Sequence, residues 1–370
     1  MLGEKTNKLR RIEETISSLE IVKLKIPLNK PMRTRYVNIE HAYCLLLVLK
    51  TVSGLEGQGL IRAINFADVE IMEDFIRKIF SSIFIGKKIV TPEQLWKSLW
   101  LHKRNHLQSS FGLYALAAID IAMWDIKAKQ ENKTLYQFFN IDKNFVIPYG
   151  NGGWLVDTNQ ELANDVNWYL ERGCNHFKMR IGSDNDHARI KFLRNTFGDE
   201  LILSVDANQY YNFNTALEMS KFLADFNVIW FEEPLFSNSI TELAKLAALS
   251  PVPIATGENM NSHWQIQDVC ELKAAKILQP DVIYQGGITE FIRSAEIIDL
   301  ANLTMGAHLF HELSASLAGL CKKHYVEHLD FFPNDFFVND FGIKDGKIFL
   351  PETPGHGVIV SSKAIKKYRL

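Results

Sequence analysis

The amino-acid sequence predicts an α/β protein organised around a (β/α)8-type barrel, with a smaller domain on its N-terminal side. From about residue 146 to residue 335, short apolar runs alternate with amphipathic helical stretches, which is typical of a parallel sheet built from βα units. Polar residues at the predicted strand ends recur 23 to 28 residues apart. Modules of that size, repeated about eight times, make such a barrel. A doubly wound sheet is the alternative, but no glycine-rich phosphate loop follows the first strand.

The first 140 residues predict a unit of different character. Residues 19–27 partly alternate between apolar and polar side chains and are expected to form a strand. A second strand-like run covers residues 42–51 and leads into a glycine-rich turn at residues 54–59. The rest of this region is expected to be helical. The clearest helix is at residues 114–130, where apolar side chains recur at i, i+3 and i+4.

The barrel strands and the tail complete the predicted order of elements. The predicted barrel strands are residues 146–149, 176–181, 201–205, 228–231, 254–256, 275–279 and 304–307. The tail carries a hairpin signal at Lys344-Asp-Gly-Lys and is expected to return to the N-terminal region. No low-complexity segment divides the chain, so we expect a domain at 1–140, a barrel at 141–335 and a packing segment at 336–370.

Composition and charge narrow the class of protein. The chain has 41 basic and 43 acidic residues and a net charge of -2, which gives no electrostatic case for binding nucleic acid or an anionic membrane. The N-terminus has no apolar signal region, and no apolar run is long enough to span a bilayer. The cysteines lie far apart without metal-site spacing, which favours reduced thiols and a soluble, cytoplasmic protein. They are Cys44, Cys174, Cys270 and Cys321.

Three acidic residues follow successive predicted strands at nearly equal spacing. They are Asp206, Glu232 and Glu258. The carboxyl ends of parallel barrel strands meet at one mouth, so these side chains are expected to converge. Three crowded carboxylates repel one another unless a cation lies between them, and oxygen-only ligands suit Mg²⁺. The sequence therefore predicts a magnesium site. The alternative is that each is a solvated loop carboxylate.

A proton acceptor is expected to face this site. A magnesium ion can hold the carboxylate of an organic acid and stabilise the second negative charge that develops when the α-proton leaves, which forms an enediolate. His308 follows an apolar strand at the repeat position, and Asp281 precedes it at the previous strand end. A carboxylate fixes the tautomer of such a histidine and raises its basicity. Lys178 and Arg180 lie two residues apart on the opposite strand, so they project to one side.

Several short runs lie at these strand ends. They are Phe177-Lys-Met-Arg-Ile-Gly182, Val205-Asp-Ala-Asn208, Trp230-Phe-Glu-Glu-Pro234, Thr256-Gly-Glu-Asn259, Gln279-Pro-Asp-Val, Gln285-Gly-Gly-Ile and His308-Leu-Phe-His-Glu. Together they resemble the mandelate racemase-like branch of the enolase superfamily. Residues 115–129 and 351–360 are also similar to that family's capping-domain helix and C-terminal segment, so the resemblance covers nearly the whole chain.

The resemblance implies a specific fold and a set of roles. The fold would be a modified TIM barrel, (β/α)7β, with an α+β capping domain built from the N-terminal region and the C-terminal tail. It implies Mg²⁺ ligands at Asp206, Glu232 and Glu258, and a catalytic dyad of His308 and Asp281. It also implies an acidic residue near the substrate carboxylate, Glu327, and catalytic positions at Lys178 and Arg180. The implied partner is a small carboxylic acid, and a homo-oligomer, commonly a dimer or octamer, is implied as well.

Arg180 departs from the family pattern, in which the second position of the Lys-x-Lys motif is a lysine base. Arginine stays protonated and is a poor proton acceptor. Racemisation needs a proton acceptor on each face of the substrate, whereas dehydration can use His308 alone. We therefore predict a lyase that dehydrates a sugar acid to a 2-keto-3-deoxy acid. The alternatives are a racemase or epimerase of a 2-hydroxy acid and a catalytically silent binding relative.

Substrate contacts are expected from five further residues. Arg33 and Arg35 lie in a basic stretch where the family places a mobile loop over the barrel mouth, and either can bind a distal hydroxyl or carboxylate. Ordinary surface charge is the alternative for this pair. Asn208, Asn151 and Trp154 are further candidates, because they follow predicted barrel strands.

Overall fold

The N-terminal part of the chain forms an antiparallel sheet. The structure is a computed structural model, and it describes residues 14–33 and 38–370. Strands β1 (Glu14–Arg33), β2 (Asn38–Thr51), β3 (Glu56–Ala63) and β4 (Lys88–Ile89) lie in the order β3-β2-β1-β4. Every adjacent pair in this sheet is antiparallel. The two predicted strands are therefore confirmed, and both are longer than the sequence indicated.

Helices cover one face of this sheet. They are α1 (Phe66–Asp74), a π-helix at Phe75–Phe80, α2 (Ser81–Phe84), α3 (Pro92–Lys103), α4 (Ser110–Gln130) and α5 (Leu135–Phe138). Helix α4 is the predicted central helix, and nearly all of it is buried. It begins one turn earlier than predicted, because the Ser109 side chain caps it by accepting a hydrogen bond from the Gly112 amide.

Strand β3 was not predicted, because its glycines were interpreted as a turn. Gly57 and Gly59 instead let the backbone of α4 approach the sheet closely. A Cβ at Gly57 would lie 2.1 Å from the Ala122 carbonyl oxygen, and one at Gly59 would lie 1.9 Å from that of Ala118. Glycine inside a strand marks such close backbone approaches. The prediction of a turn followed by helix at these residues was wrong.

The rest of the chain forms a closed barrel of parallel strands. A short strand, β5 (Phe145–Val146), precedes it. The barrel strands are β6 (Pro148–Gly152), β7 (His176–Arg180), β8 (Ile202–Asp206), β9 (Val228–Glu232), β10 (Ile254–Thr256), β11 (Ile277–Leu278), β12 (Thr304–Ala307) and β13 (His324–His328). The helices between them are α6 (Asn159–Leu170), α7 (Asp186–Phe197), α8 (Phe213–Ala224), α9 (Ile240–Leu249), α10 (His263–Glu271), α11 (Ile288–Leu300) and α12 (His311–Ala318). Eight strands alternating with seven helices confirm the (β/α)7β barrel.

The first barrel strand differs from its prediction. Residues 146–149 were expected to form it, but Val146 pairs with Ile348 of the tail, outside the barrel. The barrel strand starts at Pro148, after Ile147, whose side chain is exposed. Apolar character alone cannot tell which sheet a residue joins, so the predicted boundary was wrong. As a result Asn151 lies inside β6 and not after it.

The C-terminal tail contacts the N-terminal domain. Strands β14 (Ile343–Lys344) and β15 (Lys347–Phe349) form the predicted hairpin, with positive φ angles at Asp345 and Gly346. Helix α13 (Ser362–Tyr368) follows, and the amide of Leu370 donates a hydrogen bond to the Lys23 carbonyl of β1. The tail thus returns as expected, while the exact boundaries 1–140, 141–335 and 336–370 stay predictions.

Two expectations from composition can be compared with the structure. All four cysteines are free thiols, as predicted. Within residues 14–33 and 38–370, no helix combines the length and the apolar character that crossing a membrane requires.

Candidate active site

Three buried carboxylates converge at the carboxyl end of the barrel. Asp206 and Glu232 are the last residues of neighbouring strands β8 and β9, where their Cα atoms pair directly. Glu258 lies two residues beyond β10. One oxygen from each side chain lies within 4.8 Å of the other two. The strand register therefore brings together the residues that the repeat spacing singled out.

Sharp turns follow two of these strand ends. Glu233, directly after Glu232, has a φ of 39°, and Gly257, directly before Glu258, has a φ of 134°. A Cβ at Gly257 would lie 2.7 Å from the Gln279 amide nitrogen, so only glycine fits there. Left-handed backbone at non-glycine residues is costly and clusters at functional sites. These turns place the carboxylates of Glu232 and Glu258 at the mouth of the barrel.

The donor set fits a hard divalent cation. All three groups are carboxylates, and Oε2 of Glu258 is buried without a hydrogen bond to the described residues, its nearest charged neighbour being Nε2 of His308 at 3.3 Å. Burial raises the pKa of Glu258 above its ordinary value; His308 opposes this shift, and the nearby Glu232 carboxylate adds to it. Crowding buried anions in this way is unfavourable unless a cation compensates them. Oxygen-only ligands of this kind suit Mg²⁺.

Lys178 lies beneath these carboxylates at the centre of the barrel. Its Nζ is 2.6 Å from Oε1 of Glu232 and 2.7 Å from Oε1 of Glu327. Burial lowers the pKa of Lys178, but the charges of Glu232 and Glu327 outweigh burial, and the net pKa lies above the ordinary value. Asn151 donates a hydrogen bond of 2.7 Å to the same oxygen of Glu327. Lys178 is therefore a protonated, fixed cation.

Arg180 lies at the end of β7 and is held by Asp206. Its Nη1 forms an ion pair with Oδ2 of Asp206, the residue that pairs with it in strand register. The guanidinium carbon lies 5.4 Å from the ring centroid of Trp154. The side chain thus faces the site from the β7 side, between a carboxylate and an aromatic ring.

His308 and Asp281 form a buried dyad across the mouth from β7. Nδ1 of His308 lies 2.8 Å from Oδ2 of Asp281, whose other oxygen accepts hydrogen bonds from the amides of Ile283 and Tyr284. Nε2 lies 3.3 Å from Oε2 of Glu258. Burial lowers the pKa of His308, but the charges of Glu258 and Glu327 and the hydrogen bond that Nδ1 donates to Asp281 outweigh burial and raise the pKa to about 9. The dyad directs Nε2 at the carboxylate cluster. A bound divalent cation would compensate the carboxylates that raise this pKa, so that Nε2 would be free to accept a proton.

Three of the residues predicted to contact the substrate, Arg33, Asn208 and Arg35, are not placed inside the site by the structure. Arg33 ends β1 and is not part of a loop, and its Nη1 lies 3.1 Å from Oε1 of Glu161 near the start of α6. The expectation of a loop at residues 30–33 was wrong, because these residues continue the strand. Asn208 is exposed, and its backbone amide donates a hydrogen bond to Oδ1 of Asp206. Arg35 lies outside the described residues.

Three residues at the site were not predicted. Nε2 of Gln279 donates a hydrogen bond of 2.6 Å to Oε2 of Glu232. Nδ2 of Asn259 lies 2.9 Å from Oε1 of Glu233 and 3.3 Å from Oε1 of Glu258. Gln279 is the last residue of the strand predicted at 275–279, so the strand-end argument could have included it. Arg62 of β3 lies 3.7 Å from Asp281, and nothing in the sequence indicated it, since β3 itself was missed.

Comparison with known proteins decides the family. Residues 16–139 match the family model described as "Mandelate racemase / muconate lactonizing enzyme, N-terminal domain". Residues 161–364 match the model described as "Enolase C-terminal domain-like". The chain belongs to the mandelate racemase/muconate lactonizing enzyme family of the enolase superfamily. The resemblance inferred from the strand-end motifs is therefore confirmed.

Individual members of this family show the degree of similarity. The chain is 30% identical over 262 residues to L-talarate/galactarate dehydratase of Salmonella typhimurium, a match that covers 70% of this chain and 66% of that protein. It is 26% identical over 339 residues to 3,6-anhydro-alpha-L-galactonate cycloisomerase of Streptomyces coelicolor, covering 89% and 94%. The solved structure of L-talarate dehydratase from Polaromonas sp. JS666, complexed with Mg and L-glucarate, has a TM-score of 0.88 and 28% identity, covering 96% and 98%.

The reactions of these family members vary. Relatives of the chain include dehydratases, which are lyases, and also a racemase and an epimerase. Family membership therefore identifies an enzyme superfamily but not the reaction, which has to be inferred from the residues of the site.

Proposed function

We propose that the protein is a Mg²⁺-dependent enzyme that removes the α-proton of a hydroxy acid and dehydrates a sugar acid to a 2-keto-3-deoxy acid. One observation carries this proposal. The basic Nε2 of His308 faces the three carboxylates, 3.3 Å from Glu258, while Asp281 holds the other ring nitrogen. A proton acceptor beside an oxygen-ligand metal site is the arrangement that enolisation of a carboxylic acid requires.

Asp206, Glu232 and Glu258 are the proposed Mg²⁺ ligands. When bound, the ion supplies a Lewis acid for the substrate carboxylate and for the negative charge that develops on it. Lys178 adds a second fixed positive charge on this side, because it is buried and protonated between Glu232 and Glu327. Asn151 donates a hydrogen bond to Glu327, so the side chains at the floor of the site are preorganised.

The dehydration follows from having a proton acceptor on one face only. Nε2 of His308 takes the α-proton, and the imidazolium that forms is stabilised by Asp281. The imidazolium then donates that proton to the β-hydroxyl group as the carbon–oxygen bond breaks, so that water leaves and an enol forms. The enol becomes the keto acid when its β-carbon gains a proton from solvent and its hydroxyl group loses one. On the other face, the Arg180 guanidinium is paired with Asp206, and a guanidinium is a poor proton acceptor. Racemisation would need a second acceptor there.

Proton NMR in D₂O tests the reaction directly. The protein is incubated with Mg²⁺ and a panel of sugar acids and small hydroxy acids. We expect loss of the α-proton signal and new methylene signals beside a keto group. Loss of the α-proton without a new product would favour racemase or epimerase chemistry. No change with any acid would contradict the enzyme proposal and favour a binding relative.

A substitution tests the base. We expect His308→Asn to lower α-proton exchange by about 100- to 10,000-fold, the usual contribution of a general base. The matched control is His324→Asn, at the start of β13 and away from the mouth, which should leave exchange unchanged. Retained exchange in His308→Asn, with folding verified by circular dichroism, would rule out His308 as the base.

A further inference from the structure

Two residues directly after β6, Gly153 and Trp154, have their backbone groups bound by charged side chains. The amide of Gly153 donates a hydrogen bond of 3.0 Å to Oδ2 of Asp165. The amide of Trp154 donates one of 2.7 Å to Oδ2 of Asp157. The carbonyl groups of both residues accept hydrogen bonds from Nη2 of Arg189, at 2.8 Å and 2.9 Å. The position of this segment is therefore fixed through its amides and its carbonyl groups alike.

Arg189 also binds the end of the neighbouring strand β7. It lies near the start of α7, and its Nη1 donates a hydrogen bond of 2.8 Å to the carbonyl group of Arg180. The amide of Arg180 in turn donates one of 3.2 Å to the carbonyl group of Gly153. Since the guanidinium is planar and its donors point in fixed directions, one side chain joins the carboxyl ends of β6 and β7 in a defined geometry.

The surroundings of Arg189 indicate that these hydrogen bonds are the reason for its charge. The residue is buried, and its Nε has no hydrogen bond to the part of the chain that the structure describes. Its ion pair with Asp186 is long, with Nη1 3.9 Å from Oδ1. Burying a cation costs free energy unless hydrogen bonds or a close counter-ion compensate it. The three carbonyl groups supply most of that compensation.

The residues that Arg189 fixes face the candidate active site. The guanidinium carbon of Arg180 lies 5.4 Å from the ring centroid of Trp154, and the Arg180 side chain pairs with Asp206. Arg189 itself forms no ion pair with the three clustered carboxylates among the described residues, and its only ion-pair partner there is Asp186. Any influence of Arg189 on the site therefore passes through Trp154 and Arg180.

We propose that Arg189 is a positioning residue that fixes Trp154 and Arg180 against each other, on the side of the mouth opposite His308, and so orients the substrate for removal of its α-proton. This inference rests on the function proposed above, in which His308 takes that proton. Orientation of the reacting groups contributes strongly to rate, and a displacement of about 1 Å can cost about 100-fold.

Arg189→Met tests the proposal, because methionine fills part of the space but donates no hydrogen bond. The substrate is the acid of the panel whose α-proton the wild type exchanges fastest. We expect kcat to fall by about 10- to 100-fold and KM to change by less than about threefold. The affinity for Mg²⁺, measured by isothermal titration calorimetry with MgCl₂, should change by less than about threefold, since no carboxylate of the cluster loses a partner.

Arg194→Met is the matched control on the same helix. The side chains of Arg189 and Arg194 are 5% and 9% exposed, and Arg194 also donates hydrogen bonds to backbone carbonyl groups. Its acceptors include Phe226 and Leu201, which precede β9 and β8 at the end of the barrel opposite the mouth. Both variants should therefore lower Tm, but Arg194→Met should leave kcat within about threefold of the wild type.

A double-mutant cycle with Trp154→Ala separates positioning from a general loss of structure. In the Trp154→Ala background, Arg189→Met should lower kcat by a smaller factor than in the wild type, because the contact that it fixes is already removed. Arg189→Lys keeps the charge but not the planar arrangement of donors, so its kcat should lie between those of the wild type and Arg189→Met. If Arg189→Met fails to fold, Arg189→Lys takes its place in every comparison.

The outcomes distinguish this inference from the function on which it rests. Unchanged kcat in Arg189→Met, or an equal loss in Arg194→Met, would overturn the inference and leave the proposed function intact. Losses of kcat that multiply independently in the cycle, or a loss of Mg²⁺ affinity that parallels the loss of kcat, would also reject a positioning role. Wild-type protein that exchanges the α-proton of no acid would overturn the proposed function, and this inference with it.

Discussion

Nζ of Lys178 lies 2.6 Å from Oε1 of Glu232, and both side chains are fully buried. The same ammonium group also contacts Glu327, so one cation balances two carboxylates at the floor of the site. Removing one partner of a buried ion pair leaves an uncompensated charge, which is far more costly than losing a surface pair. The stability of the barrel and the binding of a metal are therefore linked at this position.

Lys178→Met should destabilise the protein by about 3 to 5 kcal/mol without Mg²⁺, because the carboxylates lose their cation. Added Mg²⁺ should recover part of this loss, since a bound ion stabilises the folded state. Urea unfolding with and without Mg²⁺ measures both effects. Lys191→Met, on the exposed face of α7, is the control. An identical loss with and without Mg²⁺ would contradict the link.

Glu258→Gln should weaken Mg²⁺ binding by at least about tenfold, because even residues that only support metal ligands contribute about 10- to 100-fold. The neutral amide keeps the size of the side chain but removes one negative charge from the site. Isothermal titration calorimetry with MgCl₂ gives the affinity. Glu242→Gln, in the first turn of α9, should bind Mg²⁺ as tightly as the wild type. Unchanged affinity in Glu258→Gln would exclude it as a ligand.

Because His311 is buried, we expect the free energy of unfolding to depend on pH. Burial lowers its pKa from the ordinary value to about 3, with Arg62 adding to the shift. The unfolded chain therefore binds a proton below about pH 6.5 that the folded protein does not, so this group lowers stability as the pH falls. At pH 5 the loss from this one residue is about 2 kcal/mol relative to pH 7.

His311→Phe removes that titration and keeps a ring of similar size beside His328. Between pH 7 and pH 5 we expect the variant to lose about 2 kcal/mol less stability than the wild type. Urea unfolding at both pH values provides the comparison. The same pH dependence in both proteins would show that His311 takes up a proton in the folded state.

Gly59→Ala tests the approach of α4 to β3. The new Cβ would lie 1.9 Å from the Ala118 carbonyl oxygen, so helix and sheet must move apart. We expect a loss of about 3 kcal/mol or more, at the upper end for overpacking, and a lower Tm. Gly342→Ala is the control, because its nearest neighbour is the flexible Asp340 carboxylate at 3.1 Å. Equal Tm changes in both variants would contradict this account of β3.

The barrel could be predicted because its signal is local and repeated. Each strand is a short apolar run, and each is followed by a polar residue at a regular interval. Parallel strands in one barrel end at the same mouth, so spacing along the chain becomes proximity in space. That is why Asp206, Glu232 and Glu258 could be grouped from sequence, and why the structure places their oxygens within 4.8 Å of one another. His308 and Asp281 follow from the same rule.

The remaining features depend on contacts between segments that are distant in sequence. Gly57 and Gly59 are indistinguishable from turn glycines until α4 packs against them. Val146 joins the tail because Ile348 returns to it from about 200 residues further along the chain. Arg62 and Arg33 are both basic residues on N-terminal strands, yet one faces the dyad and the other pairs with Glu161. The packing of the two domains decides which partner each arginine contacts. The sequence gives the positive charge of the residue but does not indicate which carboxylate its side chain will face.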